Sequence, residues 1–151
     1  VTKVVGFMDS FFTSREYIDP YANVSRKTLN LLHELTHIYD IATGHISNSK
    51  GLKEAVGWHW NGKHHVINDI KNELVVGEFE KLLTLVRNGK SHEAYTQDRE
   101  IGIKYGFPTL YSMMNSHENF AELLSYYILD PHATNYINQN IQDELDKILT
   151  P

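Results

Sequence analysis

Apolar side chains recur with helical period over several stretches of the chain, and the gaps between those stretches are rich in glycine, proline, asparagine and serine. Leu29, Leu32, Leu35 and Tyr39 are spaced as one face of a helix over roughly 26–42, and that face is expected to be buried. Ser25 is placed to cap its start, with Asn23 nearly as suitable, and Gly44 to stop it after Ile41-Ala42-Thr43. Val66, Ile70, Leu74, Phe79, Leu82, Leu83 and Val86 predict helix over 66–88, bent or broken at Gly77. A short helix is expected over 92–104, closed by Gly106 and Pro108. A strong one follows over 116–129, with Phe120, Leu123, Leu124 and Tyr127 on its core side and Asp130-Pro131 as its end. Ile137, Ile141, Leu145 and Leu149 mark a last amphipathic helix over 135–149.

Two regions break this pattern. Residues 1–12 are rich in β-branched and aromatic side chains and predict one or two short strands. Residues 13–24, with Asp19-Pro20, read as a loop, and 44–65 as a glycine-rich connector with one short helical turn near 52–56. The fold class is α+β, mostly α, with a small N-terminal β element. Residues 1–151 form one domain without repeats.

Composition narrows the function classes. A chain of 151 residues, 41% hydrophobic and 22% charged, is large enough for a real core. A net charge of −5 with no basic stripe argues against nucleic acid or an anionic membrane as partner. No apolar run approaches the roughly 18–20 residues of a membrane span. The absence of cysteine excludes disulfides and thiolate-bound zinc without fixing a compartment. A start at Val1 without a signal-peptide pattern fits a mature form or an excised domain.

Candidate chemistry sits inside the first helix. His33-Glu34-Leu35-Thr36-His37 is an H-E-x-x-H motif. Histidines at i and i+4 stand on one helix face and can reach a single Zn²⁺ at roughly 2.0–2.1 Å. Glu34 projects beside the metal, where it can take a proton from the attacking water. That combination is the core of a zinc peptidase.

Catalytic zinc usually has three protein ligands and one open position. Glu118 and Glu122 lie at i and i+4 in Glu118-Asn119-Phe120-Ala121-Glu122, so both carboxylates share a helix face. One as metal ligand and the other as partner of a zinc histidine would satisfy both. Solvated carboxylates near a helix N-terminus are the alternative. His117 is a rival third ligand, although it cannot share a direction with Glu118.

The two motifs together resemble the gluzincin zinc metallopeptidases. More narrowly they are similar to the group of the anthrax lethal factor catalytic domain and the clostridial Pro-Pro endopeptidases. The resemblance covers the motif helix and residues 109–150 or so. It implies a zincin-like domain, Glu118 as the third zinc ligand, and Glu122 beside a zinc histidine. It also implies that Tyr111, seven residues before Glu118, faces the active site, where its hydroxyl would help stabilise the oxyanion. The interval from His37 to Glu118 is longer than in those relatives, so 45–105 reads as an insertion or a different substrate-facing lobe. A secreted or periplasmic setting accords with the resemblance.

The resulting expectation is a zinc-dependent peptidase. His33, His37 and Glu118 hold about one equivalent of Zn²⁺, Glu34 and Tyr111 act on a peptide or protein substrate, and an edge strand within 1–12 receives extended peptide. A zinc-binding recognition module without catalysis, or the catalytic lobe of a larger toxin or effector, are the alternatives. Trp58-His59-Trp60-Asn61-Gly62-Lys63-His64-His65 reads as an aromatic-anchored loop with exposed histidines, with a cleft wall or a second metal site as the other options. His45, His92 and His132 read as surface residues. Asp40 reads either as a solvated helix-end carboxylate or as an acid behind the metal site.

Overall fold

The computed structural model of the chain describes residues 17–68 and 70–150. The expected N-terminal strands, and the peptide-binding edge within them, lie outside the described residues. The described part is mostly helical, with one two-stranded antiparallel hairpin. Helix α1 spans Arg26–Ala42, α2 Lys50–Val56, α3 Asn72–Arg87, α4 Ser91–Lys104, α5 Ser116–Leu129 and α6 Gln139–Leu149.

Helix α1 begins where Ser25 Oγ accepts the Thr28 backbone N–H at 3.2 Å. It ends at Gly44, whose φ of +78° is open to glycine at little cost. The N–H of His45 then closes back on the Asp40 carbonyl at 2.7 Å.

The buried face of α1 is not the apolar one. Leu29 is buried, but Leu35 and Tyr39 stand exposed, together with Leu31, Ile38 and Ile41. The residues turned inward are Arg26, Leu29, Asn30, His33, Thr36 and Asp40, and they lie against α5. Polar partners across the interface make this register favourable. Arg26 Nη1 donates to the Tyr126 hydroxyl at 2.6 Å, and His33 meets two α5 carboxylates. Buried polar groups paired in this way avoid the desolvation cost that would otherwise rotate the helix.

Helix α3 runs through Gly77 without a break, and its N-terminal limit is Asn72 because residues 65–67 form a strand. The segment 58–67 is a hairpin, β1 Trp58–Trp60 and β2 His65–Ile67, with Trp58 opposite Ile67 and Trp60 opposite His65. Its turn is held by Asn61, whose Oδ1 accepts from the backbone of Lys63 and His64 at 2.9 and 2.8 Å. The short helix expected near 52–56 extends over the whole of α2.

The apolar core gathers Leu52, Val56, Ile67, Leu82, Phe107, Leu110, Phe120, Leu123, Ile141 and Leu145. Beside it lies a buried ionic centre. Arg99 of α4 places Nε 2.9 Å from Asp19 Oδ2 and donates through Nη2 to Asp130 Oδ2 at 2.8 Å and through Nη1 to the Pro108 carbonyl at 2.6 Å. Its guanidinium lies 4.1 Å from the Tyr126 ring centroid. One side chain thus ties the loop before α1, the turn before α5 and the end of α5 to α4. Gly102 lets the same turn approach closely, since a Cβ there would overlap the Thr109 backbone.

Candidate metal centre

His33 and His37 project from one face of α1, and Glu118 meets them from the first turn of α5. His33 Nε2 lies 3.0 Å from His37 Nε2 and 2.9 Å from Glu118 Oε2. His37 Nε2 is 3.2 Å from Glu118 Oε1. A tetrahedral zinc site with arms of about 2.0–2.1 Å has edges of roughly 3.3 Å, so these three groups already stand near ligand-to-ligand separation. Among the described residues they form one of two clusters with metal-ligating composition.

The side chains behind the donors fix their chemistry. His33 Nδ1 donates to Glu122 Oε2 at 2.9 Å, and Thr109 Oγ1 donates to Glu122 Oε1 at 2.9 Å. With Nδ1 carrying hydrogen, a neutral His33 turns its Nε2 lone pair toward a carboxylate oxygen and a second imidazole. Such a gathering of acceptors needs a positive charge among them. Without metal a proton can supply it. Burial disfavours the His33 imidazolium, but hydrogen bonds and charge from Glu118 and Glu122 outweigh burial and raise its pKa to about 9. Burial likewise opposes ionisation of Glu118, yet the two histidines bring its carboxyl down to about 2. Glu122 is also lowered against the effect of burial, chiefly through His33. A divalent cation fits this donor set, with two imidazoles and one carboxylate arranged around it.

Glu118 is 7% exposed and Glu122 3%, so neither is a solvated helix-end carboxylate. Asn115 places the first of them by capping α5, its Oδ1 accepting the Glu118 N–H at 2.9 Å. His117 points elsewhere and does not join this cluster. Glu34 is half-buried on α1, next to His33 in sequence, and its charge reaches the Tyr111 hydroxyl.

Tyr111 is buried, with its ring centroid 6.0 Å from that of His33 and 5.8 Å from Phe79. Burial, with Glu118, Glu122 and Glu34 nearby, holds its hydroxyl far above the ordinary phenol range, so it stays protonated. The turn carrying Tyr111 is fastened to α4. Asp98 Oδ1 accepts the Tyr111 N–H at 3.1 Å, and the Asp98 carbonyl accepts the Leu110 N–H at 2.8 Å.

Asp40 is neither solvated nor bonded to His33 or His37. It is 2% exposed and holds the segment after α1, accepting from Ser47 N at 2.8 Å and Ser47 Oγ at 2.7 Å. Trp58 and His65 border a cavity of about 280 Å³ at the start of α5, with Met114 and His117 on its other side. His92 and His132 are exposed. Sequence reasoning had no route to Thr109, because nothing in its spacing marks a hydroxyl that reaches Glu122.

Among the described residues no helix is long and apolar enough to cross a membrane. Comparison of the chain with protein-family models, with curated proteins and with solved structures returned no match.

Proposed function

We propose that the protein is a zinc-dependent peptidase of gluzincin type. The observation that carries this reading is the convergence of His33, His37 and Glu118, the first and last of them buried, with Glu122 fixing the His33 tautomer and Glu34 on the same helix turn. His33, His37 and Glu118 would hold the ion. Bound there, zinc would supply Lewis acidity and make water a stronger nucleophile at neutral pH. Glu34 is the general base. It accepts the proton of the attacking water and passes it to the leaving amine. The protonated Tyr111 hydroxyl donates to the oxyanion that develops on the scissile carbonyl. Glu122 and Thr109 keep the His33 ring in register throughout.

A recognition module that binds zinc without turnover would need the same three ligands but no base. The presence of Glu34, next to His33 on α1, favours catalysis. Incubation of the zinc-loaded protein with a mixed peptide library, read by mass spectrometry, tests this. Cleavage that is abolished by chelator and by Glu34→Gln is the expected result. A zinc-loaded protein that leaves the library intact would overturn the peptidase reading while sparing the metal site.

A further inference from the structure

A second group of metal-ligating side chains lies at the far end of α1. Asp40 comes from its last turns, His45 from the residue after the Gly44 stop, and His117 from the first turn of α5. Sequence spacing offers no reason to group them: His45 reads as a surface residue, His117 as a rival ligand of the first site, and Asp40 as a solvated helix-end carboxylate or an acid behind that site. The fold brings His117 Nδ1 to 3.4 Å and His45 Nδ1 to 3.9 Å from the same Asp40 oxygen, Oδ2. The two imidazole rings stand 5.5 Å apart between centroids. The three donor atoms lie within 4.8 Å of one another, and the two distances to Asp40 Oδ2 exceed the roughly 3.3 Å edge of a tetrahedral transition-metal site by only a few tenths of an ångström, a gap that exposed imidazoles can close.

We propose that Asp40, His45 and His117 form a second binding site for a divalent transition-metal ion of the zinc class. Two imidazoles and a carboxylate suit zinc, cobalt or nickel and do not suit the all-oxygen preference of calcium or magnesium. The carboxylate is prepared for the task. Asp40 is almost fully buried, and Ser47 fixes its plane through two hydrogen bonds, as groups behind a metal ligand commonly do. Both histidine side chains are about half exposed, at 50% for His45 and 46% for His117, so an ion has a direct route from solvent. His117 Nδ1 lies 2.9 Å from Ser47 Oγ, a contact that coordination of an ion would replace.

The site binds more weakly than the first. Its histidine side chains are about half exposed to competing water, whereas His33 and Glu118 are buried. Its location gives it a consequence. An ion there would clasp the end of α1 to the start of α5, the two elements that carry His37 and Glu118. This inference does not depend on peptidase activity.

Cobalt serves as the probe, because its visible absorption reports tetrahedral coordination, with zinc counted by competition against a chromophoric chelator. The wild-type chain is expected to take up two equivalents, one tight and one weaker. His45→Ala combined with His117→Ala is expected to lose the weaker equivalent and its absorption and to keep the tight one. His33→Ala is expected to do the reverse. Each single histidine variant repeats the measurement with one exposed residue changed, which guards against misfolding of the double variant. A wild-type chain that saturates at one equivalent, or a double variant that titrates like wild type, would overturn the proposal.

Discussion

Glu122 holds His33 by its Nδ1 at 2.9 Å, and this one contact decides which ring nitrogen is left for a cation. The carboxylate is itself held by Thr109, so the order of support runs from the turn before α5, through α5, to the ring on α1. Glu118, one helical turn earlier, meets the opposite nitrogen of the same ring. The two glutamates occupy one helix face but have different work.

That difference can be measured. Glu118→Ala removes a charged donor from a three-donor set and is expected to weaken zinc binding severely. Glu122→Ala leaves all three donors and removes only the orienting bond, a loss that typically costs about 10–100-fold. Chelator competition on both variants gives the order. If Glu122→Ala proves the weaker binder, the assignment of ligand and support is reversed.

Thr109 is expected to act through Glu122. Thr109→Val keeps the side-chain shape and removes the hydroxyl. Its zinc affinity should fall, by no more than the Glu122→Ala loss of about 10–100-fold. Thr109→Ser retains the donor and should restore wild-type affinity. A serine variant as weak as the valine variant would mean that packing, not the hydrogen bond, carries the effect.

Glu34→Gln preserves size and removes basicity. Hydrolysis is expected to disappear while zinc content stays at the wild-type level, because Glu34 is not one of the converging donors. Peptide cleavage at the parental rate would remove Glu34 from the mechanism.

Much of this arrangement is legible in the sequence. The H-E-x-x-H spacing and the Glu118/Glu122 pair follow from helical period, because both i and i+4 pairs must share a face. The limits of α1 and α5 follow from Ser25, Gly44 and Asp130-Pro131. Periodicity misled on the orientation of α1. Hydrophobic spacing assigns Leu35 and Tyr39 to the core, but polar pairing with α5 outweighs it, and no single-helix pattern contains the partner. The hairpin at 58–67 was hidden by its three-residue strands, too short to show alternation. His45 returns to Asp40 through the reversal after Gly44, and His117 joins them through the packing of α5 on α1, a tertiary event without a local signal.

Asp98 gives the fold a pH dependence of its own. Burial raises its carboxyl from 3.8 to about 7, with Glu122 acting in the same direction and Arg26 and Arg99 against it. A group with a higher pKa in the folded chain stabilises the fold fully below its unfolded value, and this contribution is lost as pH rises through the folded value. Stability is therefore expected to fall through this group between about pH 4 and pH 7. Asp98→Asn can still accept the Tyr111 N–H and carries no charge, so its urea midpoint should decline less over that range. Parallel curves for the two proteins would exclude Asp98 as the source.

Tyr111 combines two roles that a conservative change can separate. Its ring packs between His33 and Phe79, and its hydroxyl lies in the field of Glu118, Glu122 and Glu34. Tyr111→Phe leaves both ring contacts in place and removes only the hydroxyl. Stability and zinc content should change little. If the hydroxyl donates to the developing oxyanion, kcat should fall by about 10²–10³, the usual effect of losing one such donor. KM should move much less, because the interaction is made in the transition state and not with bound substrate. A lower kcat with unchanged zinc content therefore identifies an oxyanion donor. A parental kcat would leave Tyr111 as packing for the His33 ring, and the oxyanion would have to be met by the metal alone.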